Sequence, residues 1–326
     1  MAAFDSAAAL GSCEAVAGKG CLMLTLGDFE QGLDGYEARW LAGKSLSEAL
    51  GTRFETWKGP GRRGERVLVL NDHGLGDTIQ FFRYLPLMAA AGVEPTFVCP
   101  PRVRRLLSSK AKVRYADSPP IGEPFDAQIA ISSLPRAFGT RLETIPASVP
   151  YLSAEPGLRE TWFKRIGPEG FKVGVVWQGS QDFSSDRWRS IPLAYFAPLA
   201  RLPGVRLVSL QKGSGAEQIA TVDFPLIDLA GRLDEAAGPF MDTAAVIRNL
   251  DLVVTADTAI AHLAGALGAR VWVALQYSPN WRWLLGRDDS PWYPTVRLFR
   301  QTAFDEWPDV LERIANAIQA HRSEVA

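Results

Sequence analysis

The order of strand-like and helix-like segments constrains the fold of this chain more than any other feature. From residue 66 onward, short buried apolar runs at 66–71, 95–100, 112–117 and 125–135 read as strands. Helical patterns at 78–92 and 101–109 separate the first three of these runs. Strands that alternate with helices are typical of a parallel sheet with crossover helices.

The alternation stops in a stretch rich in proline and glycine and then begins again. Residues 135–170 contain this stretch, and we place the interdomain region there. The second half has predicted strands at 171–180, 205–213, 224–230, 251–257 and, as the final strand, 269–276, with helices at 192–202, 241–250 and 258–268. Two successive halves of this kind predict two Rossmann-like, nucleotide-binding-type domains that face each other across a cleft, an α/β class of fold.

The N-terminal 45 residues have a helical pattern. Apolar spacing runs to Leu26, is broken at Gly27-Asp28, and resumes with Phe29, Leu33, Tyr36 and Trp40 on one face of a second helix. This helical hairpin resembles the last unit of a tetratricopeptide array. A single unit cannot bury its own apolar face. It either caps the following domain or is the remnant of a longer array.

We therefore expect four regions along the chain. They are a helical hairpin at 1–50, an N-terminal Rossmann-like domain at 51–160, a C-terminal Rossmann-like domain at 161–302, and an amphipathic C-terminal helix at 303–326. The glycine-rich residues 51–65 read as a linker or exposed loop.

Charge and cysteine usage exclude several classes of protein. The formal net charge is −1, whereas nucleic-acid binders usually carry a surplus of Lys and Arg. The three cysteines form no CxxC motif and the three histidines lie far apart, so neither a metal site nor a disulfide framework is expected. The N-terminus lacks the pattern of a signal peptide. No run reaches the ~18 apolar residues of a membrane span. We expect a cytoplasmic protein, and the sequence does not decide whether it contacts a membrane surface.

The first motif is the segment from Asn71 to Asp77, between a predicted strand and a predicted helix. Glycines there allow close approach of the backbone, and helix N-terminal amides can hold an anion. Asp77 has two interpretations. It caps the helix, or it is a carboxylate at the carboxyl end of a parallel strand, where ligand clefts form and where it could act as a general base.

The second motif, residues 255–263, lies at a similar junction in the second half. Thr258 and Ala259 would expose free amides at a helix start, which suits a diphosphate. Asp257 could instead cap this helix. His262, taken alone, is more typical of a hydrogen-bonded core histidine.

Two loops complete the set of candidates. In residues 177–192 an Arg could neutralise phosphate, or the segment is a solvated surface loop. Residues 281–294 contain Trp281, Trp283, Trp292 and Tyr293 interleaved with Arg282 and Arg287. They could stack a base or sugar, or they plug the junction between domains. We interpret Asp288-Asp289 as structural.

Together these segments resemble glycosyltransferase family 9, the heptosyltransferase-like group with GT-B architecture, and most closely its bacterial tetratricopeptide-associated subgroup. GLGDTIQFFRYLPLMAAAG is similar to the family's GLGDxIQFxRYLPxLAxxG, and DTAIAHLAGALGARVWVAL to its DTxxAHLAGALGxPVWxLL. WRWLLGRDDSPWYPTVRLFRQ resembles the subgroup's WRWxxxRxDSPWYPxxRLFRQ.

The resemblance implies that 51–160 is the acceptor domain and 161–302 the nucleotide-sugar domain. It also implies roles for the matched positions. Asp77 would be the catalytic base for an acceptor hydroxyl. The donor site would comprise Arg189 (where heptosyltransferases carry a Lys), Gln211, Lys212, Asp257, Thr258, Ala259 and His262. The acceptor side would comprise His73, Gly74, Gly76 and Gln80.

The resemblance further implies a glycosyltransferase with a nucleotide-sugar donor as substrate and no cofactor. A helix dipole and an Arg can stabilise a departing diphosphate, so we expect inverting, metal-independent transfer. The heptosyltransferase match favours ADP-heptose, and the acceptor is a protein such as flagellin or a glycan such as lipopolysaccharide core. The alternatives are a catalytically inactive nucleotide-sugar or protein-binding module and a nucleotide-sugar epimerase.

Overall fold

The chain divides into two compact units. The computed structural model describes residues 1–41, 48, 54–108, 113–182, 185–229 and 231–325. Unit 1 comprises Met1–Ala147 and Asn280–Gly286, and unit 2 comprises Ser148–Pro279 and Arg287–Ala326. The first division falls within the stretch rich in proline and glycine. The expected boundaries at residues 160 and 302 stay predictions, and that at residue 50 lies outside the described residues.

Unit 1 begins with three helices. They are α1 (Ala2–Ala9), α2 (Cys13–Thr25) and α3 (Phe29–Tyr36), and a 3-10 turn follows at Glu37–Trp40. The expected break at Gly27 is present, with φ of +92°, and the side chain of Asp28 caps α3. The expectation of one helix up to Leu26 is wrong. Gly11 (φ +86°) ends α1, and the Ser12 hydroxyl accepts a hydrogen bond from the first turn of α2.

Helices α2 and α3 pack closely because glycines meet at their contact. A Cβ on Gly20 would lie 2.6 Å from the carbonyl carbon of Gly35 and closer still to the backbone nitrogen of Tyr36. Backbone atoms cannot retreat as a flexible side chain can, so a methyl group at this position forces the helices apart.

We therefore expect Gly20→Ala to destabilise unit 1. Overpacking of this kind costs about 1–3 kcal/mol. That corresponds to roughly 2–4 °C of Tm per kcal/mol in a unit of 150–250 residues. The matched control is Gly157→Ala, which also lies in a helix but where an added Cβ meets nothing within 4 Å. Thermal unfolding followed by tryptophan fluorescence should separate the two variants. Equal Tm values would contradict the close contact of the helices.

The sheet of unit 1 has four parallel strands in the order β3-β2-β1-β4. The strands are β1 (Arg66–Leu70), β2 (Glu94–Val98), β3 (Arg114–Ala116) and β4 (Ala127–Ala130). Val67, Leu68 and Val69 are fully buried, as expected of a strand covered on both faces. The chain leaves β1 towards β2 on one side and later returns to β4 on the other, so the winding direction changes between β1 and β4.

The helices of unit 1 are α4 (Leu75–Phe81), α5 (Tyr84–Ala90), α6 (Pro101–Ser108) and the short α7 (Leu134–Ala137). The single helix expected at 78–92 is therefore wrong. Pro86 has no N–H to donate to the Phe82 carbonyl, which accepts a hydrogen bond from Leu85 instead. The helix breaks there into α4 and α5.

Unit 2 has a five-stranded parallel sheet in the order β6-β5-β7-β8-β9. Its strands are β5 (Phe171–Val176), β6 (Val205–Ser209), β7 (Leu252–Ala256), β8 (Val271–Leu275) and β9 (Val296–Arg300). Its helices are α8 (Pro156–Ile166), α9 (Asp186–Arg189), α10 (Ala197–Ala200), α11 (Met241–Ile247), α12 (Ala259–Ala266) and α13 (Trp307–Val325). Here the winding direction changes between β5 and β7.

Two strand predictions in the second half are wrong. Residues 224–229, the part of this predicted strand that the structure describes, make only a single parallel bridge, between Ile227 and Val208, and Pro225 cannot donate to a sheet ladder. The final strand is β9 rather than β8. It was missed because it follows the loop rich in aromatic residues and carries arginines at Arg297 and Arg300. Within the described ranges, no helix combines the length and the apolar character that a membrane span requires.

Candidate active site

In unit 1, the residues that follow β1 meet those that follow β4. The Asp72 carboxylate accepts hydrogen bonds from the Ser132 backbone N–H, at 3.2 Å, and from the Ser132 hydroxyl. Arg39 donates to the hydroxyls of Ser132 and Ser133, at 2.8 and 2.7 Å, and Glu37 accepts from Ser133. Ligand crevices form at such points in open α/β sheets. The N-terminal helical segment therefore contributes side chains directly to this one.

His73 contacts the same helical segment. Its Nε2 lies 2.7 Å from the hydroxyl oxygen of Tyr36 at the end of α3. Burial raises the pKa of Tyr36 to about 12, although Arg282 and Arg39 act in the opposite direction. The phenol thus keeps its proton at neutral pH and can donate it to this hydrogen bond.

Asp77 is the third residue of α4, in its first turn, and the N-cap position is Gly74. The Asp77 carboxylate forms a close ion pair with the guanidinium of Arg282. The Arg282 side chain is 7% exposed and the Asp77 side chain 26%. Asp77 is therefore a partly exposed carboxylate paired with a buried cation, rather than the N-cap of its helix.

Gln80 lies one turn further along α4 and is fully buried. Its Oε1 accepts a hydrogen bond from Nε of Arg282 at 2.7 Å. Its Nε2 has no hydrogen-bond partner among the residues that the structure describes. Gly76 is the second residue of α4. The expected acceptor-side residues His73, Gly74, Gly76 and Gln80 thus lie in one segment with Asp77.

In unit 2, the loops after β5 and β7 meet at Arg189. Its Nε donates to Asp186 at 3.0 Å, and its Nη1 donates to the Asp257 backbone carbonyl at 2.9 Å. Asp186 is buried and also accepts from the Ser190 hydroxyl. The guanidinium therefore bridges the two loops at the point where the winding direction of the sheet changes.

Helix α12 begins directly after β7. Thr258 is its N-cap, and the threonine side chain accepts from the Ile260 N–H. The alternative in which Asp257 caps this helix is therefore wrong. Ala259, the first helical residue, adds only a methyl group at the helix start.

His262 lies in the core of unit 2. It is buried, and its Nδ1 is 3.1 Å from the hydroxyl oxygen of Tyr293, which is also buried. A Cβ on Gly265 would lie 2.6 Å from the Tyr293 ring, so the glycine makes room for this contact. The position fits the interpretation of His262 as a hydrogen-bonded core histidine.

Gln211 and Lys212 follow β6 and bind neighbouring loops. The Gln211 amide accepts from the N–H groups of Trp177 and Gln178 and donates to the carbonyls of Gln178 and Ser214. Lys212 donates to the Leu233 carbonyl and to Glu235, both at 2.6 Å. Gln211 therefore joins the loops after β5 and β6.

A cavity of about 410 Å³ opens in the loop after β5, a volume within the range of small-molecule sites. Six of its eight lining residues are polar or charged, and the full set is Gln178, Gln181, Asp186, Arg187, Ser190, Ile191, Pro192 and Gln218. Arg187 of this segment lines the cavity, and the phosphate-neutralising and surface-loop interpretations of the segment both stay predictions.

The aromatic loop is divided between the two units. Trp281 and Trp283 belong to unit 1, whereas Trp292 and Tyr293 belong to unit 2, and all four rings are at most 5% exposed. The hypothesis that these rings stack a base or sugar is therefore wrong, because their faces are covered by the protein. Asp289 forms an ion pair with Arg287, as its structural interpretation requires.

No sequence pattern indicated that Arg282 would meet Asp77, which lies 205 positions earlier. It likewise did not indicate that Tyr36 and Arg39 would reach the loop after β1. Within the described part of the chain, no three His, Cys, Asp or Glu side chains are grouped to hold a metal ion. The absence of a metal requirement stays a prediction.

A curated protein is similar to the chain at the level of sequence. Protein FlbA of Caulobacter vibrioides is 29% identical over 337 aligned residues, which cover 91% of this chain and 54% of FlbA. The chain thus spans about half the length of the curated relative that it matches. No family model matches the chain.

Solved structures match the fold at low identity. ADP-heptose lipopolysaccharide heptosyltransferase II of Escherichia coli has a TM-score of 0.58 at 17% identity, covering 80% of this chain and all of that one. A glycosyl transferase family 9 protein of Veillonella parvula has a TM-score of 0.53 at 12% identity, covering 79% and 90% of the two chains. The iron-containing heptosyltransferase TibC of E. coli has a TM-score of 0.51 at 15% identity, covering 83% and 78%. The two parallel-sheet α/β units, preceded by a short helical segment, therefore match the GT-B-like fold of the heptosyltransferases, as expected from the sequence.

Proposed function

We propose that this protein is a glycosyltransferase that moves a sugar from a nucleotide-sugar donor to a hydroxyl group of a protein or glycan. The observation that carries the proposal is the position of Asp77, a partly exposed carboxylate beside the point where the sheet of unit 1 changes its winding direction. The equivalent point in unit 2 carries a cation, Arg189. The heptosyltransferase fold supports this combination.

Asp77 supplies the base in the proposed reaction. Transfer with inversion needs a carboxylate that takes the proton of the acceptor hydroxyl while the oxygen of that hydroxyl attacks the anomeric carbon. Gln80 is fully buried and supports the base indirectly, because its Oε1 accepts a hydrogen bond from the guanidinium that pairs with Asp77. In this proposal the acceptor lies beside Asp77, along the segment that begins at His73.

Arg189 and the start of α12 supply the positive potential for the donor. A departing nucleoside diphosphate carries developing charge on its phosphate oxygens. The amides at Thr258 and Ala259 and the nearby guanidinium can stabilise that charge. We accordingly propose transfer that does not require a metal ion. The hairpin of α2 and α3 supports assignment to the tetratricopeptide-associated subgroup of glycosyltransferase family 9.

A thermal-shift panel tests donor binding first. The panel consists of ADP-heptose, UDP-glucose, UDP-N-acetylglucosamine and GDP-mannose, with AMP, UMP and GMP as controls that lack both the diphosphate and the transferable sugar. A true donor at 100 times its Kd stabilises the folded protein by about 2.7 kcal/mol, which raises Tm by several degrees. If none of the four nucleotide sugars exceeds its monophosphate control, the proposed donor class is wrong.

A further inference from the structure

We infer that Arg282 is a positioning residue for Asp77 and that helix α3 holds Arg282 in place. Residues 280–286, called the strap below, belong to unit 1, although the residues before and after them in the sequence belong to unit 2. The inference rests on the proposed function, because it takes Asp77 as the base. It adds that the strap and the N-terminal helical segment are parts of the same site.

The Arg282 guanidinium uses each of its three nitrogens on a different acceptor. Nη2 pairs with Oδ1 of Asp77, Nε donates to Oε1 of Gln80 at 2.7 Å, and Nη1 donates to Oδ1 of Asn280 at 2.7 Å. Because the guanidinium is planar and rigid, two of these bonds fix the direction of the third. One oxygen of Asp77 is thus held at a defined point. A lysine ammonium could keep the charge there but could not reproduce the three directions.

Aromatic rings hold the guanidinium on its faces. The central carbon of Arg282 lies 4.6 Å from the ring centroid of Trp281 and 5.1 Å from that of Phe81. The Trp281 ring in turn packs against Phe29 and Tyr36, with centroids 6.2 and 6.1 Å apart. Phe29 and Tyr36 are the first and last residues of α3. The N-terminal helix therefore fixes Trp281, and Trp281 fixes Arg282.

The consequence concerns the reaction rather than the fold alone. A general base must lie within hydrogen-bond distance of the proton that it removes, and a displacement of about 1 Å can lower the rate about 10²-fold. Arg282 does not need to touch the substrate to have this effect. It acts through Asp77, and α3 acts through Trp281.

The test compares Arg282→Lys with Arg136→Lys. Arg136 forms an exposed ion pair with Asp34 in the same unit and is the matched control. The substrate is the panel nucleotide sugar that gives the largest thermal shift, and release of nucleoside diphosphate is measured. We expect Arg282→Lys to lower kcat roughly 10- to 100-fold with the KM for the donor changed less than twofold. Arg136→Lys should match the wild type. A kcat within twofold of the wild type for Arg282→Lys would overturn the inference.

Chemical rescue separates positioning from a general structural loss. Added guanidinium chloride, below concentrations that lower Tm, should restore part of the kcat of Arg282→Ala. It should not restore that of Asp77→Asn, in which the carboxylate is missing. Absence of any rescue, together with a lowered Tm, would assign Arg282 a structural role only and overturn the inference.

The Asp77–Arg282 pair can also be tested without turnover. Tm is measured for Asp77→Asn, Arg282→Lys and the double variant, and we expect the double variant to lose less than the sum of the two single losses. If the wild type turns over none of the nucleotide sugars in the panel, the proposed function fails. The comparison of these three Tm losses then tests the Asp77–Arg282 interaction by itself. Additive losses of Tm would show that Arg282 does not hold Asp77.

Discussion

Asp77→Asn is expected to lower kcat by about 10²- to 10⁴-fold, the contribution typical of a positioned general base. Asparagine has nearly the same shape as aspartate but cannot accept the proton of the acceptor hydroxyl. Because the substitution lies in unit 1, away from Arg189 and Thr258 along the chain, the affinity for the donor should change less than twofold. Turnover is measured as release of nucleoside diphosphate, and donor binding by calorimetry with the same nucleotide sugar.

The matched control for this variant is Asp34→Asn. Asp34 is an exposed carboxylate of unit 1 that also pairs with an arginine, Arg136. It should keep wild-type kcat and Tm. Full activity of Asp77→Asn would refute its role as the base, whereas loss of activity together with loss of donor binding would indicate a damaged fold.

Arg189→Lys should give the second large effect, a donor affinity lower by roughly 10- to 150-fold. Hydrogen bonds to charged groups contribute about 1.5–3 kcal/mol, and each 1.4 kcal/mol is tenfold in Kd. Lysine keeps the charge but cannot bind Asp186 and the Asp257 carbonyl at once while also facing a diphosphate. Calorimetric titration with the stabilising nucleotide sugar measures the change.

The control for this variant is Arg201→Lys, an exposed position at the end of α10. It should bind the donor as the wild type does. An unchanged Kd for Arg189→Lys would remove Arg189 from the donor site and leave its contacts to Asp186 and Asp257 as purely structural.

The predictable part of this molecule is local in sequence. Short apolar runs, such as that of β1, predict buried strands directly. A polar residue just after such a run, such as Asp77 or Thr258, lies at the carboxyl edge of a parallel sheet. These positions followed from alternation alone. The resemblance to glycosyltransferase family 9 then added possible roles to them.

The unpredictable part depends on contacts between distant segments. Arg282 meets Asp77 across 205 positions, and the assignment of the strap to unit 1 follows no periodicity. The family motif assigns His262 to the donor site, which stays a prediction, and its contact with Tyr293 in the core was not evident from the motif. Strand β9 was hidden because its alternation includes arginines. Each of these outcomes depends on how distant segments pack together, and a short stretch of sequence carries no information about such packing.

Proton NMR of the unmodified protein with each nucleotide sugar of the panel tests the central claim most directly. We predict that the anomeric signal of one donor disappears while nucleoside diphosphate appears in equal amount, through hydrolysis or transfer. Conversion of one nucleotide sugar into another without release of diphosphate would contradict the transferase and indicate an epimerase. Binding without either change would contradict catalysis altogether.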